Sequence, residues 1–200
     1  MARGPEPGTA PSSPSTSPST PPSARPLFVA LRPDAPTIRR LADLDLGPEG
    51  MVRRVAPEDL HVTLRYLGPI DAGVVPTLVA ALGQVADRAP APVRGTLGPA
   101  TRWFTGGRAL HVPVSGLDDL AADVRASTAA LVPVPVDELP FVGHLTVARA
   151  RRAGPDGAWR AALAGLPCTA VFDATTLDLV ASASTTTGPR YTDVVRVPFS

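Results

Sequence analysis

Residues 59–68 read DLHVTLRYLG, and residues 143–150 read GHLTVARA. Each holds the phrase histidine–apolar–threonine–apolar, His61 with Thr63 and His144 with Thr146, within a run of strand-forming residues. The chain has only three histidines, so two of them share this phrase. On a strand, residues i and i+2 point to one face. His61 therefore shares a face with Thr63, and His144 with Thr146, while Val62, Leu64, Leu145 and Val147 turn toward a core. An imidazole near its unperturbed pKa can take or give a proton at neutral pH. A threonine hydroxyl can donate to a phosphate oxygen. Two such pairs facing each other supply an acid, a base and two oxyanion donors. That set suits in-line attack of water on a phosphodiester without a metal.

The chain leading to each phrase repeats as well. Leu27, in LFVAL, precedes His61 by 34 positions, and Leu110, in ALHVPV, precedes His144 by the same 34. Both intervals run strand, helix, histidine strand, and a helix follows each. LFVAL (27–31) reads as a buried strand, and PDAPTIRRLADL as a short helix opened by Asp34 and Pro36. MVRRVA and HVTLRYL are strands separated by the turn-like PED. Val74, Val75, Leu78, Val79, Leu82, Val85 and Ala86 keep helical spacing over 73–88, with Pro76 in the first turn. VRGTLG and RALHVPVSG are further strands. Leu117, Leu120, Ala121, Val124, Thr128 and Leu131 trace a second amphipathic helix. DGAWRAALAGL is a third helix after GHLTVAR, and CTAVFDATTLDLVAS and YTDVVRVPF are closing strands. The repeat predicts two pseudo-symmetric lobes facing each other across a cleft, each supplying one histidine strand.

Composition narrows the field. Two hundred residues, 44% of them hydrophobic, can bury one good core. A formal net charge of +1 gives no long-range pull toward nucleic acid, so any RNA contact must be local. Every basic residue is arginine, and asparagine is absent, as expected of a G+C-rich, bacterial coding sequence. The single cysteine, Cys168, excludes an internal disulfide and a cysteine-based zinc cluster, and on the apolar run CTAVF it reads as a core residue. AGVVPTLVAALGQVA (72–86) falls short of the roughly 20 residues a membrane helix needs, and no secretory signal is visible. A cytoplasmic, monomeric protein without membrane contact is expected. Residues 1–25, rich in Pro, Ser, Thr and Gly, have little to bury and are expected to form a disordered tail ahead of a domain spanning 26–200.

His111 has Pro113 where the other two histidines have threonine, so it reads as a structural strand residue. No H-E-x-x-H, H-x-x-E-H or carboxylate cluster accompanies His61 or His144 beyond Glu58 and Asp59, so no metal or other cofactor is expected.

With these flanks, the sequence resembles the two-histidine phosphoesterase superfamily, and within it the RNA 2′,3′-cyclic 3′-phosphodiesterases, historically called 2′-5′ RNA ligases. The resemblance spans residues 26–200 and rests on LFVAL, VAPEDLHVTLRYLG, PFVGHLTVARAR and the ending GPRYTDVVRVPF. It implies an α+β fold with two antiparallel-sheet lobes, outer helices and a central cleft lined by the motifs. It also implies that His61 and His144 are the catalytic pair and that Thr63 and Thr146 bind phosphate. His144 would be the base that activates water, and His61 the acid that protonates the departing ribose O3′. The substrate would be an RNA 3′ end or nucleotide carrying a 2′,3′-cyclic phosphate, the product a 2′-phosphate, with 2′-5′ ligation as a minor reverse reaction. Arg149 matches an arginine that the family places near the phosphate, although simple alternation puts it out of phase with His144. Arg65, in phase with His61 and Thr63, is the second candidate. Phe28 and Tyr66 could stack on a base, with core packing the preferred reading of each. The tail and the proline-rich LVPVPVDELP (131–140) depart from the family pattern without touching the motifs.

Two other functions fit the same residues. One is hydrolysis of another small cyclic phosphate. The other is a nucleotide-binding module without turnover, which would not need a matched proton donor and acceptor.

Overall fold

The computed structural model describes residues 24–47, 50–132, 134, 140–151, 157–186 and 188–200. The expected disordered tail, apart from its last two residues, and most of the proline-rich 131–140 stretch lie outside the described residues. Among the described residues there are ten strands and four α-helices: β1 (Arg25–Leu31), α1 (Ala35–Ala42), β2 (Val52–Arg54), β3 (Val62–Ile70), α2 (Val75–Arg88), β4 (Val93–Leu97), β5 (Arg102–Trp103), β6 (Ala109–Ser115), α3 (Asp118–Thr128), β7 (His144–Ala150), α4 (Gly157–Leu163), β8 (Ala170–Ala174), β9 (Thr176–Thr185) and β10 (Gly188–Pro198). Every expected strand and helix appears. The two-residue β5 was not expected, and CTAVFDATTLDLVAS forms two strands, broken at Thr175.

All pairings are antiparallel, in the order β10-β9-β1-β3-β7-β6-β4-β8, with β2 added to β7 and β5 to β6. The sheet divides at β3–β7 into the two expected lobes. In each, the first strand of the repeat pairs with its histidine strand: β1 with β3 and β6 with β7. Helices α2 and α3 pack against each other, α2 on β9 and β10 and α3 on β3, while α1 packs on β8 of the other lobe. Asp34 caps α1 by accepting a 2.9 Å bond from the Thr37 amide, with Pro36 in the first turn, as the sequence predicts. Strand β1 is buried on both faces. Leu27, Val29 and Leu31 join the large core, and Phe28 and Ala30 join Val180 in a smaller cluster that packs against Tyr191.

Two β-bulges occupy equivalent places in the lobes. Val29 pairs with Arg65 and Ala30 with Thr63, leaving Leu64 unpaired. Leu110 pairs with Ala148 and His111 with Thr146, leaving Val147 unpaired. Each extra residue stands three positions after its histidine, and each reverses the inside–outside alternation beyond it. Position five after the histidine, Tyr66 or Arg149, therefore turns to the same face as the histidine. Position four, Arg65 or Ala148, turns away.

The bulge at Leu64 removes Arg65 from the cleft, contrary to expectation. Arg65 is only 6% exposed. Its guanidinium donates to the Arg125 carbonyl at 2.8 Å, the Thr128 hydroxyl at 2.5 Å and the Val134 carbonyl at 3.0 Å, tying β3 to α3 and the chain beyond it. Arg65→Ala would leave these buried acceptors unsatisfied and should cost ~2–4 kcal/mol in stability. Urea unfolding at unchanged m-value measures this, and a variant as stable as the parent would contradict the structural role.

Candidate active site

The lobes meet where β3 pairs with β7 at Val62 and Leu145, both fully buried. These are the middle residues of the two histidine–threonine phrases. Carrying the antiparallel register one residue each way sets His61 opposite Thr146 and Thr63 opposite His144. Directly opposed side chains stand roughly 5 Å apart at Cβ. One cross-strand pair therefore gathers two imidazoles and two hydroxyls into a pseudo-twofold square.

The square lies in a cleft of about 450 Å³ lined by His61, Thr63, His144 and Thr146 together with Arg149 and Tyr66. Arg53, Arg54 and Asp59 from the β2–β3 segment, and Ser182, Pro189 and Tyr191 from the β9–β10 hairpin, also line it. The bulge at Val147 explains how Arg149 reaches the cleft despite its nominal phase. Tyr66 is 51% exposed and lines the cleft, so the expectation that it packs in the core is wrong, and the bulge at Leu64 is again the reason. Phe28, its cross-strand partner, is buried, as the preferred reading of it has it, and it also lines the cleft.

Each histidine is anchored through Nδ1 to the carbonyl two residues earlier: His61 to Asp59 at 2.6 Å and His144 to Val142 at 2.9 Å. A carbonyl only accepts, so Nδ1 carries the proton in both rings. Each neutral ring then has Nε2 as its free acceptor. The anchors fix the tautomer that a general base requires. An added proton would go to Nε2, the position from which an acid donates.

The surroundings of the two rings differ. His61 packs against Phe28, with ring centroids 4.9 Å apart, and against Tyr191 edge-on at 5.0 Å. Burial, reinforced by the positive charge of Arg32, Arg149 and His144, pushes its pKa down to about 4 despite the opposing bond to the Asp59 carbonyl. His144 meets the edge of Phe104 at 4.7 Å and the ring of His111 at 5.8 Å. His111 stacks on Phe104 at 3.9 Å, is 8% exposed and does not line the cleft. It stays a strand residue, as expected, but it also stands behind His144, a neighbourhood that sequence spacing did not reveal. Burial and the His144 and Arg102 charges hold its pKa below the usual imidazole value. Cys168 is buried in the core, and burial raises its thiol pKa, which suits packing and not nucleophilic attack. Among the described residues, no three His, Cys, Asp or Glu side chains cluster as metal ligands, and no helix is long and apolar enough to cross a membrane.

No protein-family model matches the sequence, and the search of curated proteins returns no match. Solved structures do match. The crystal structure of TT0787 from Thermus thermophilus superposes with a TM-score of 0.74 at 24% identity, covering 87% of this chain and 97% of that one. Escherichia coli LigT complexed with 3′-AMP gives a TM-score of 0.63 at 24% identity, covering 89% and 99%. The PDE domain of MHV ns2 gives 0.55 at 14% identity, covering 86% and 99%. The chain has the fold of the two-histidine phosphoesterases. That fold is the expected α+β arrangement of two antiparallel lobes, and in this chain both histidine phrases stand at its central seam.

Sequence reasoning missed Tyr191 and Arg53 as cleft residues and misjudged Tyr66. Tyr66 was within reach, since aligning the two repeats on their histidines matches it with Arg149. Tyr191 arrives through a long hairpin, within the ending GPRYTDVVRVPF that carries part of the resemblance, whereas Arg53 arrives through a three-residue strand outside the two histidine phrases.

In this cleft, the asymmetry between the rings has a direct spectroscopic consequence. In the ligand-free protein, NMR titration of the imidazoles should show His61 neutral down to about pH 4. Because its folded pKa lies below the unfolded value, the unfolded chain binds more protons between about pH 6.5 and 4. His61's contribution to stability is thus complete above that window and is lost as pH falls through it. A His61 that titrates near 6.5 in the folded protein would contradict the buried setting.

Proposed function

We propose that this protein hydrolyses a 2′,3′-cyclic phosphate on a nucleotide or RNA 3′ end to a 2′-phosphate by metal-independent acid–base catalysis. The observation that carries the proposal is the square at the β3–β7 seam, where each histidine stands across from the other motif's threonine. One anchored imidazole takes a proton from water through Nε2 while the other gives a proton to the departing ribose O3′. Thr63 and Thr146 donate to the non-bridging phosphate oxygens, and Arg149 adds positive charge at the same cleft. A nucleotide substrate is supported by the LigT structures, which are complexed with 3′-AMP, NADP+ and ATP.

In the ligand-free cleft His61 is neutral at pH 7, the form of a base. The assignment of His61 as acid therefore depends on the substrate. An anionic phosphodiester within about 4–6 Å raises an imidazole pKa by roughly 1–3 units. Added to a starting value of about 4, this brings His61 into the range where it can donate. A substrate with an activated leaving group separates the roles. Bis(4-nitrophenyl) phosphate does not need a proton at the leaving oxygen, so loss of the acid should cost it far less than loss of the base. His61→Ala should then retain most of the activity on this ester, and His144→Ala little. The opposite pattern would exchange the two roles.

The overall reading is tested by incubating the protein with a 2′,3′-cyclic nucleotide in excess EDTA and identifying the product by ³¹P NMR. A 2′-monophosphate is expected. A 3′-monophosphate, or activity that returns only on adding a divalent metal, would overturn it. Thr63→Ala and Thr146→Ala should each slow turnover by roughly 10²-fold, with an unchanged pH optimum and substantial recovery in the serine variants.

A further inference from the structure

Arg53 and Arg149 are direct cross-strand partners on β2 and β7, and both line the cleft. Like charges directly opposite each other on a sheet repel and destabilise the pairing. Neither guanidinium hydrogen-bonds or forms an ion pair within the described residues. The nearby cation Arg32 is already committed, to Asp178 at 3.4 Å and to Asp193. Arg54, on the same side, donates to the Ala42 carbonyl at 3.0 Å and to the Leu44 carbonyl at 2.5 Å. The carboxylate that faces this region, Asp59, forms no ion pair but feels the charges of Arg32, Arg53 and Arg190 together. Of the described residues that line the cleft, Asp59 is the one carboxylate against Arg53, Arg54 and Arg149, so this part of the cleft carries net positive charge.

The two arginines hold different places. Arg149 is close enough to lower the pKa of His61, whereas Arg53 stands one strand further out, its guanidinium lying against the backbone of Gly188 at the start of β10. A Cβ at Gly188 would occupy the space of that guanidinium, so the glycine at the start of β10 leaves room for Arg53 beside the cleft. Thr146 and Arg149 are three residues apart, and the bulge at Val147 takes up one of them. The remaining two strand steps span about 7 Å, comparable to the separation of successive phosphates along one nucleic-acid strand.

We propose that Arg53, with Arg149, forms a second phosphate subsite that receives the 5′-side phosphate of the nucleoside whose cyclic phosphate occupies the histidine–threonine square. The proposal rests on the function proposed above and narrows its substrate class: the preferred substrate bears a phosphate on O5′, as the last nucleotide of an RNA chain does. The same chemistry is presented by a 5′-phosphorylated mononucleotide.

Binding tests the subsite independently of turnover. Calorimetric titration of the full chain with 2′-AMP and with adenosine 2′,5′-bisphosphate gives an affinity ratio that reads the second phosphate directly. The bisphosphate should bind roughly tenfold tighter or more, the scale of one charge-assisted contact. Arg53→Gln should bring that ratio close to one, and Arg53→Lys should keep much of it. A wild-type ratio near one, or a ratio unchanged in Arg53→Gln, would overturn the subsite. Rates on adenosine 2′,3′-cyclic phosphate, its 5′-phosphorylated form and the dinucleotide ApA 2′,3′-cyclic phosphate then separate the sources. Faster turnover of both phosphorylated substrates supports recognition of the phosphate itself, and of the dinucleotide alone supports an RNA chain. Equal rates on all three would overturn the proposal. A protein that discriminates in binding through Arg53 yet hydrolyses none of them would keep the subsite and remove the proposed reaction.

Discussion

Everything at the centre of this molecule depends on the single buried pairing of Val62 with Leu145. It joins the two lobes and lies midway between histidine and threonine on each strand. Two copies of one short phrase, paired antiparallel about their middle residue, place each imidazole across from a hydroxyl of the opposite lobe. A one-residue slip of either strand would turn that strand's histidine and threonine toward the core. Apolar burial on one face therefore fixes the polar geometry on the other. The anchors from Nδ1 to the carbonyl two residues earlier complete this, because they aim Nε2 of both rings by the same local device.

Much of this was legible in the sequence because the decisive signals were periodic and repeated. The equal intervals from Leu27 to His61 and from Leu110 to His144 become equivalent strand–helix–strand units, and Asp34 and Pro36 open α1 where the residues say they should. The shared faces of His61 with Thr63 and of His144 with Thr146 followed from alternation on two strands, the two facing lobes from the repeat, and the α+β class from the family resemblance. The two arginines show where alternation stops working. A bulge leaves no clear mark in the sequence, since Leu64 and Val147 look like ordinary core residues and are buried like them. The extra residue nevertheless exchanges the fates of the positions beyond it, sending Arg65 into a buried hydrogen-bonded post and Arg149 into the cleft. Comparing the halves would have helped, because the bulges are equivalent by position. Long-range contributions such as Tyr191 and the Phe104–His111 stack behind His144 depend on tertiary packing, which no local pattern encodes.

The pseudo-symmetry is broken electrostatically. The ring of His61 is closed in by Phe28 and Tyr191 and is surrounded by cations, whereas that of His144 rests against Phe104 and His111. An acid–base pair needs such a difference, since two equivalent imidazoles would offer no preferred direction for the proton. The arginines at one end of the cleft strengthen the asymmetry and make the site hospitable to anions before any substrate arrives.

The central claim is that the histidines of the two lobes act as one unit across the seam. A double-mutant cycle of His61→Ala and His144→Ala, read as turnover of a 2′,3′-cyclic nucleotide, addresses it most directly. Each single replacement should cost on the order of 10²–10⁴ in rate, and the double variant should be little slower than the poorer single, because a broken pair is not broken twice. Fully additive losses, or a His144→Ala protein with near-parental activity, would show that the two rings do not work together.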